Sequence, residues 1–300
     1  MSLLSVIIPS RNSPFLTKTI QDVLNNSVED VEVIINVDEK KPDVILDDPR
    51  VTYLFPSAPI GMRAGINACL KQSKGEYVMK TDDHCLFAKG FDKVMKDNMQ
   101  KDWLMIPRRF SLDAENWQVE ENRKGARDYH YLCCPYPDKD HDGGMHGVEW
   151  PERTRERINR PEFEIDDTPS FQGSCWMAYK DYFMEKVGFM DDRVETYSTF
   201  AQEPQEIGMK YWLKGGAVKV NKKTYYAHLH KGKRYGRMYT TDYHTVASHN
   251  WSAKHWMNDE EPGIIHGIEW FVNEKFPNMP TWTPDWKEKL KSMGVIYANR

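Results

Sequence analysis

Residues 61–85 read GMRAGINACLKQSKGEYVMKTDDHC, and their reading decides the fold. Residues near 62–73 carry a helical pattern, Gly75 breaks it, and the apolar run EYVMK that follows is a strand. That strand stops at Thr81-Asp82-Asp83-His84, so a helix-to-strand unit ends on a cluster of carboxylates and an imidazole. Two further strands precede it. Leu4 to Ile8 is apolar and rich in β-branched residues, ending at Pro9, and Val31 to Val37 (VEVIINV) ends at Asp38. Between them Ser13 and Pro14 read as an N-cap and first helical position, with Leu16, Ile20, Val23 and Leu24 at helical spacing. Val51 to Phe55 reads as a third strand before the quoted segment. Alternating strands and helices of this kind build a parallel sheet with crossover helices. Ligands of open α/β sheets bind beside the carboxyl ends of the strands, so Arg11, Asp38 and residues 82–84 are expected to line one crevice.

The rest of the chain is less regular. Residues 108–170 lose periodicity and become charged and rich in His, Pro and Gly, which reads as a long loop. Order returns at FQGSCWMAYKDYFMEKVGFMD, a strand and a short helix, and QEPQEIGMKYWLKGG is a helix with Pro204 and Glu206 in its first turn. Val218 to Val220 reads as a strand, followed by HLHKGKRYGRMY. The final stretch is rich in Trp, Pro and His and reads as a helical appendage.

Composition bounds the answer. Three hundred residues with 40% hydrophobic content support one large α/β domain or one domain with an appendage. No stretch reaches the roughly 18 uninterrupted apolar residues of a membrane span. The start MSLLSVIIPSRN runs directly into strand sequence, so a soluble, cytoplasmic chain without a membrane partner is expected. Five cysteines, an odd number that includes the adjacent Cys133 and Cys134, do not form a disulfide framework. A net charge of −4 argues against a surface that coats polyanions broadly, while leaving room for a local basic patch.

Asp82 and His84, two residues apart at a strand end, offer one hard and one borderline metal ligand, a mixture suited to Mn²⁺ better than to Mg²⁺, which stays a second choice. Alone, an Asp-x-His fits a solvated turn equally well. Its surroundings add to it. The quoted segment resembles the stretch before the metal site in family 2 glycosyltransferases, and its ending is similar to the Asp-x-His-Cys of the polypeptide N-acetylgalactosaminyltransferases. FQGSCWMAYKDYFMEKVGFMD resembles the acceptor-side strand and helix of that second family. FAQEPQEIGMKYWLKGG resembles its Trp-Gly-Gly-Glu-Asn-x-Glu helix, and eleven residues separate Gly216 from His228, where that family carries its third metal ligand.

The resemblance covers roughly residues 3–237 and implies a GT-A fold: Rossmann-like, with a mostly parallel central sheet flanked by helices, and here a small C-terminal helical appendage. It implies a nucleotide-sugar half (1–107), an acceptor half (108–237) containing the 108–170 loop, and the appendage at 238–300. It implies Asp82, His84 and His228 as metal ligands. Pro9, Arg11, Asp38, Gly61, Arg63, Asn67, Asp82 and Asp83 would lie toward a nucleotide-sugar donor, a UDP-sugar above others. Lys231 and Arg234, with Lys233 and Arg237, would reach the diphosphate from a closing loop. Glu203 and Glu206 match the two acids of the acceptor-side motif and are the catalytic candidates, although Glu206 also suits the dipole of its own helix. The motif differs in two places: Phe200-Ala201-Gln202 stands for Trp-Gly-Gly and Pro204 for Asn, so a peptide acceptor is not carried over.

The chemistry of sugar transfer asks for the same set, a cation on the departing diphosphate and carboxylates near a sugar with oxocarbenium character. Other readings are weaker. A zinc site from His130, Cys133, Cys134, His141 and His146 lacks any Cys-x-x-Cys spacing. His230 competes with His228, but spacing favours His228. A nucleotidyltransferase would want a glycine-rich loop where PSRNSPF stands, and a catalytically inactive sugar-nucleotide binder would not need Glu203 beside the triad. For the acceptor, the basic and aromatic run Lys231 to Arg237 points to DNA carrying 5-hydroxymethylpyrimidines, as in viral DNA modification. A glycan or polysaccharide is the alternative, and the closer motif match predicts retention at the anomeric carbon.

Overall fold

The computed structural model describes residues 2–120, 125–136, 142–230, 235–236 and 244–298. Strands β1 (Leu4–Ser10), β2 (Val31–Val37), β3 (Val51–Leu54) and β4 (Tyr77–Thr81) alternate with helices α1 (Leu16–Asn26) and α2 (Gly61–Gln72). β5 (Cys85–Phe87), α3 (Phe91–Asp97), β6 (Trp103–Asp113) and β7 (Gln118–Val119) follow. The chain then forms β8 (His130–Leu132), β9 (Gly147–Glu149), α4 (Pro151–Arg157), β10 (Ile165–Asp167), β11 (Cys175–Tyr179) and α5 (Lys180–Lys186). It closes with α6 (Glu203–Leu213), β12 (Ala217–His228), α7 (Thr245–Met257), a short helix α8 (Ile268–Trp270) running into a π turn, and α9 (Trp286–Ser292).

The central sheet has the order β10-β12-β6-β11-β4-β1-β2-β3. β3, β2, β1 and β4 pair in parallel, as does β12 with β6, while β11 lies antiparallel between β4 and β6. The parallel strands are covered on both faces, which is why Leu4, Val6, Ile7 and Ile8 on β1 are all fully buried and the strand reads as a continuous apolar run. β1, β2 and β4 therefore end side by side, and the polar residues after them fall on one edge.

Several expectations need correction. α1 begins at Leu16, not at Pro14; the Ser13 hydroxyl instead accepts the Phe15 N–H and donates to the Asp83 carbonyl, each at 3.3 Å, tying this loop to the 82–84 turn. β12 runs to His228, far beyond Val220, because its polar middle is stabilised by pairing with β6 across a register shift at Asn221/Tyr225. Residues 108–170 are not one loop: they hold the end of β6, β7, the β8–β9 hairpin pair, α4 and β10. Their strands are two or three residues long and take their order from long-range pairing, so no local periodicity marks them. The C-terminal helices contribute Trp256, Phe271, Phe276, Trp286 and Leu290 to the same hydrophobic cluster as the sheet. All five cysteines are buried and none forms a disulfide with another. No helix among the described residues is long and apolar enough to cross a membrane.

Candidate active site

A cavity of about 540 Å³ opens beside the carboxyl ends of β1, β2 and β4, lined among others by Pro9, Arg11, Asp38, Gly61, Asp82, Asp83, His84, Glu203 and His228. Pairing explains how residues so distant in sequence meet. β5 lies antiparallel to β12 with His228 opposite Cys85, and the Leu229 N–H donates to the His84 carbonyl, so the two histidines become neighbours. Their rings stand 4.7 Å apart. The Asp82 carboxylate lies 3.2 Å from His228 Nε2 and 3.9 Å from His84 Nε2. One ligand atom from each residue falls within 4.8 Å of the others.

The surroundings orient these groups. Asp83 lies between the Ser10 hydroxyl, which donates to it at 2.7 Å, and His84 Nδ1 at 2.6 Å. A carboxylate on one ring nitrogen holds the proton there and turns Nε2, as acceptor, toward Asp82. Asp83 thus positions His84, and it also lines the cavity. His228 approaches Asp82 closely, yet among the described residues neither of its buried ring nitrogens has a partner in hydrogen-bonding geometry. Burial, only partly opposed by Asp82, pushes its imidazole down to about 3, so the ring is neutral and keeps a lone pair to give. His230, the competitor, faces Arg127 at 2.7 Å and Arg109 at 3.4 Å through Nε2, which is thereby an acceptor from guanidinium groups and turned away from this role.

Behind the triad stands a residue that sequence reasoning missed. Lys80, fully buried at the end of β4, donates to Asp82 and to the Gly173 carbonyl at 2.6 Å each and to Glu203 at 3.3 Å. Burial alone would strip its proton; the two carboxylates outweigh that and hold it charged. Burial likewise opposes ionisation of Asp82, but the Lys80 ammonium prevails and keeps its carboxyl well below the usual range. Glu203 differs: burial raises it, against Lys80 and the Trp176 indole, which donates to Oε1 at 2.8 Å. Gly173 lets the backbone come this close, since a Cβ there would sit 2.9 Å from Glu203 Oε2.

At the other end of the cavity Asp38 accepts Arg11 Nε at 2.9 Å and the Ile60 and Gly61 N–H groups at 2.7 and 3.0 Å. It thereby holds the start of α2 in place of a side-chain cap, and it presents Arg11 to the cavity. Gly61 has φ +83° and lies so close to Thr199 that a Cβ would fall 2.6 Å from that residue's Cβ. Asn36 of β2 also lines the cavity; its amide is buried and has no hydrogen-bond partner among the described residues, another residue the strand pattern concealed.

Three expected site residues are elsewhere. Arg63 is fully buried and bonds the carbonyls of Asp191 and Ala201, the Glu206 carboxylate and the face of Tyr197. Asn67, one helical turn on, exchanges hydrogen bonds with the backbone of Met190. Glu206 pairs with Arg63 and, at 2.7 Å, with Lys210. None of the three lines the cavity: the pitch of α2 and α6 aims these side chains at each other and at the 187–201 segment. Lys231 and Arg234, with Lys233 and Arg237, lie outside the described residues. The imagined zinc set does not assemble: His130 faces Arg109, Cys133 Sγ is engaged by the Gly144 carbonyl and the His146 N–H, and His141 is outside the described residues.

The donor set of one carboxylate and two imidazoles, with a neutral and buried His228, fits a divalent transition ion such as Mn²⁺. Comparison places the architecture. GalNAc-T7, solved with UDP, GalNAc and Mn²⁺, matches with a TM-score of 0.68 at 12% identity, over 98% of this chain and 54% of its own. S. aureus TarS matches with a TM-score of 0.53 at 14% identity, over 93% and 44%. The chain thus spans about half the length of either, and at such identities the likeness carries the fold alone, a GT-A sheet. The sequence profile of glycosyl transferase family 2 matches residues 5–185, more than half the chain, and the protein belongs to that family. No curated protein matches it by sequence.

Proposed function

We propose that this chain is a metal-dependent glycosyltransferase that moves a sugar from a nucleoside diphosphate, a UDP-sugar, to an acceptor hydroxyl. The observation that carries the reading is the convergence of Asp82, His84 and His228 on one wall of a cavity that also holds Glu203. Asp82, His84 and His228 would hold Mn²⁺, or Mg²⁺ less well because of the two imidazoles, and the ion would stabilise negative charge on the departing diphosphate. The chain's own groups do the rest. Lys80 fixes the Asp82 and Glu203 carboxylates relative to each other, and Asp83 fixes the His84 ring. Arg11, Asp38 and Asn36 form the end suited to the nucleoside. Glu203 faces the reacting sugar and favours positive character at the anomeric carbon as its bond to the diphosphate oxygen breaks. The acceptor oxygen bonds to that carbon on the same face and passes its proton to the departing diphosphate oxygen. UDP is favoured by the fold likeness to GalNAc-T7, whose structure holds it, and retention by the motif resemblance. The division into a donor half (1–107), an acceptor half (108–237) and a helical appendage (238–300), working in a reducing cytoplasm, belongs to the same proposal.

For the acceptor we assign a 5-hydroxymethylpyrimidine in DNA, on the basic and aromatic run 231–237 that follows His230 at the cavity. A flipped base would enter the cavity, and binding would weaken steeply with salt. The test is incubation with Mn²⁺, UDP-sugars and duplexes containing 5-hydroxymethylcytosine, 5-hydroxymethyluracil or ordinary bases, read by nucleoside mass analysis. Sugar on a hydroxymethylated base alone is expected. Transfer to a free glycan with none to DNA rejects this acceptor and leaves glycan synthesis; no donor cleavage with any acceptor rejects the transferase reading.

A further inference from the structure

We infer that Asp142, His146 and His249 form a second metal site, for Zn²⁺, that staples helix α7 to the loop preceding β9. The three residues come from two separate segments and present one carboxylate and two imidazoles with ligand atoms within 4.8 Å of one another. Asp142 Oδ1 lies 2.7 Å from His146 Nε2, and Oδ2 lies 2.6 Å from His249 Nδ1. The rings meet edge to face at 4.6 Å. Two imidazoles and a carboxylate are a known zinc donor set that leaves one position for water, and such a mixture prefers Zn²⁺ to Mg²⁺ or Ca²⁺.

The loop is shaped for this approach. Gly143 has φ +82°, a left-handed conformation that favours glycine. A Cβ on Gly144 would fall 2.8 Å from His249 Cβ and 2.9 Å from His146 Nε2, so any larger residue would push the loop off α7 and separate the ligands. Without the ion the carboxylate is shared between the rings at hydrogen-bonding distance. Tetrahedral ligands about 2.0 Å from zinc stand roughly 3.3 Å apart, so the ion enters as the two ring nitrogens draw back from the carboxylate oxygens they now touch.

The staple's place gives it a use. Ser252, on α7 one turn beyond His249, donates at 3.3 Å to Gln202, which lines the active-site cavity beside Glu203. The His146 carbonyl accepts the Cys133 N–H, joining the loop to the hairpin pair. Zinc here would brace the acceptor side against the C-terminal helices without touching the reacting groups.

The test counts metal in the full chain after zinc loading and gel filtration, by plasma emission. The unmodified protein is expected to keep two equivalents, His228→Ala one, and Asp142→Asn or His249→Gln one. In the His228→Ala background Co²⁺ should give visible d–d bands and Zn²⁺ should raise Tm, and adding Asp142→Asn should remove both. Should His249→Gln misfold, Asp142→Asn and the Tm response of His228→Ala still decide. Equal zinc in Asp142→Asn and the unmodified chain, or no retained metal and no Tm response in His228→Ala, overturns the site. Because these readouts need no turnover, they stand or fall apart from the transferase proposal.

Discussion

Glu203 and Glu206 sit within one turn of α6, both almost fully buried and both beside a buried cation, yet they belong to different machines. Glu206 closes a network: Arg63 and Lys210 bond its oxygens, and Arg63's other donors end on backbone carbonyls. Glu203 belongs to an open one: Lys80 links it to Asp82, and beyond Asp82 stands His228, whose ring nitrogens make no hydrogen bond of good geometry among the described residues. A closed set of charges fastens structure, whereas an open set, held in place with lone pairs to spare, is prepared for a ligand. Both carboxylates share one sequence motif, and only the direction in which the helix turns them separates their roles.

That contrast predicts opposite outcomes for similar substitutions. The largest effect belongs to the open network: His84→Ala should lower Mn²⁺-dependent turnover by about a thousandfold, with Tm nearly unchanged, since groups that stabilise transition-state charge are worth ~10²–10³ or more. A strongly depressed Tm with normal turnover per folded molecule would instead assign this cluster to structure. Next comes the closed network. Glu206→Ala strands Arg63 in the interior and should cost ~3–5 kcal/mol of stability in urea unfolding, while the surviving folded enzyme works normally. Were Glu206→Ala stable but inactive, the two carboxylates would have to exchange roles. Glu203→Gln should reduce kcat by roughly 10²-fold and leave donor Kd in place, because its interaction grows toward the transition state. The smallest effect is remote: Asp83→Asn should weaken Mn²⁺ binding by ~10- to 100-fold, rescued at high Mn²⁺, as loosening a ligand's support does.

The sequence shows one of these networks better than the other. β-branched runs ending in polar clusters made β1, β2 and β4 readable, and Asp82, His84, Glu203 and His228 meet in the cavity as their motifs suggested. Lys80 stayed hidden because a lysine closing EYVMK reads as the solvated end of a strand, whereas Asp82, Gly173 and Glu203 enclose its ammonium and every residue of β4 is buried. Arg63 and Asn67 misled for the converse reason: they lie in the segment that carries the family resemblance, but helical pitch turns them away from the cavity into the 187–201 segment. The β8–β9 pair and the middle of β12 were illegible, since their order comes from partners distant in sequence.

UDP release from a UDP-N-acetylhexosamine at saturating Mn²⁺, followed in the unmodified protein, in His228→Ala and in His230→Ala, tests the site most directly. The arrangement of the cavity predicts release that EDTA abolishes, that His228→Ala loses almost entirely and that His230→Ala largely keeps. Equal release by the unmodified and His228→Ala proteins, or release indifferent to EDTA, would contradict it.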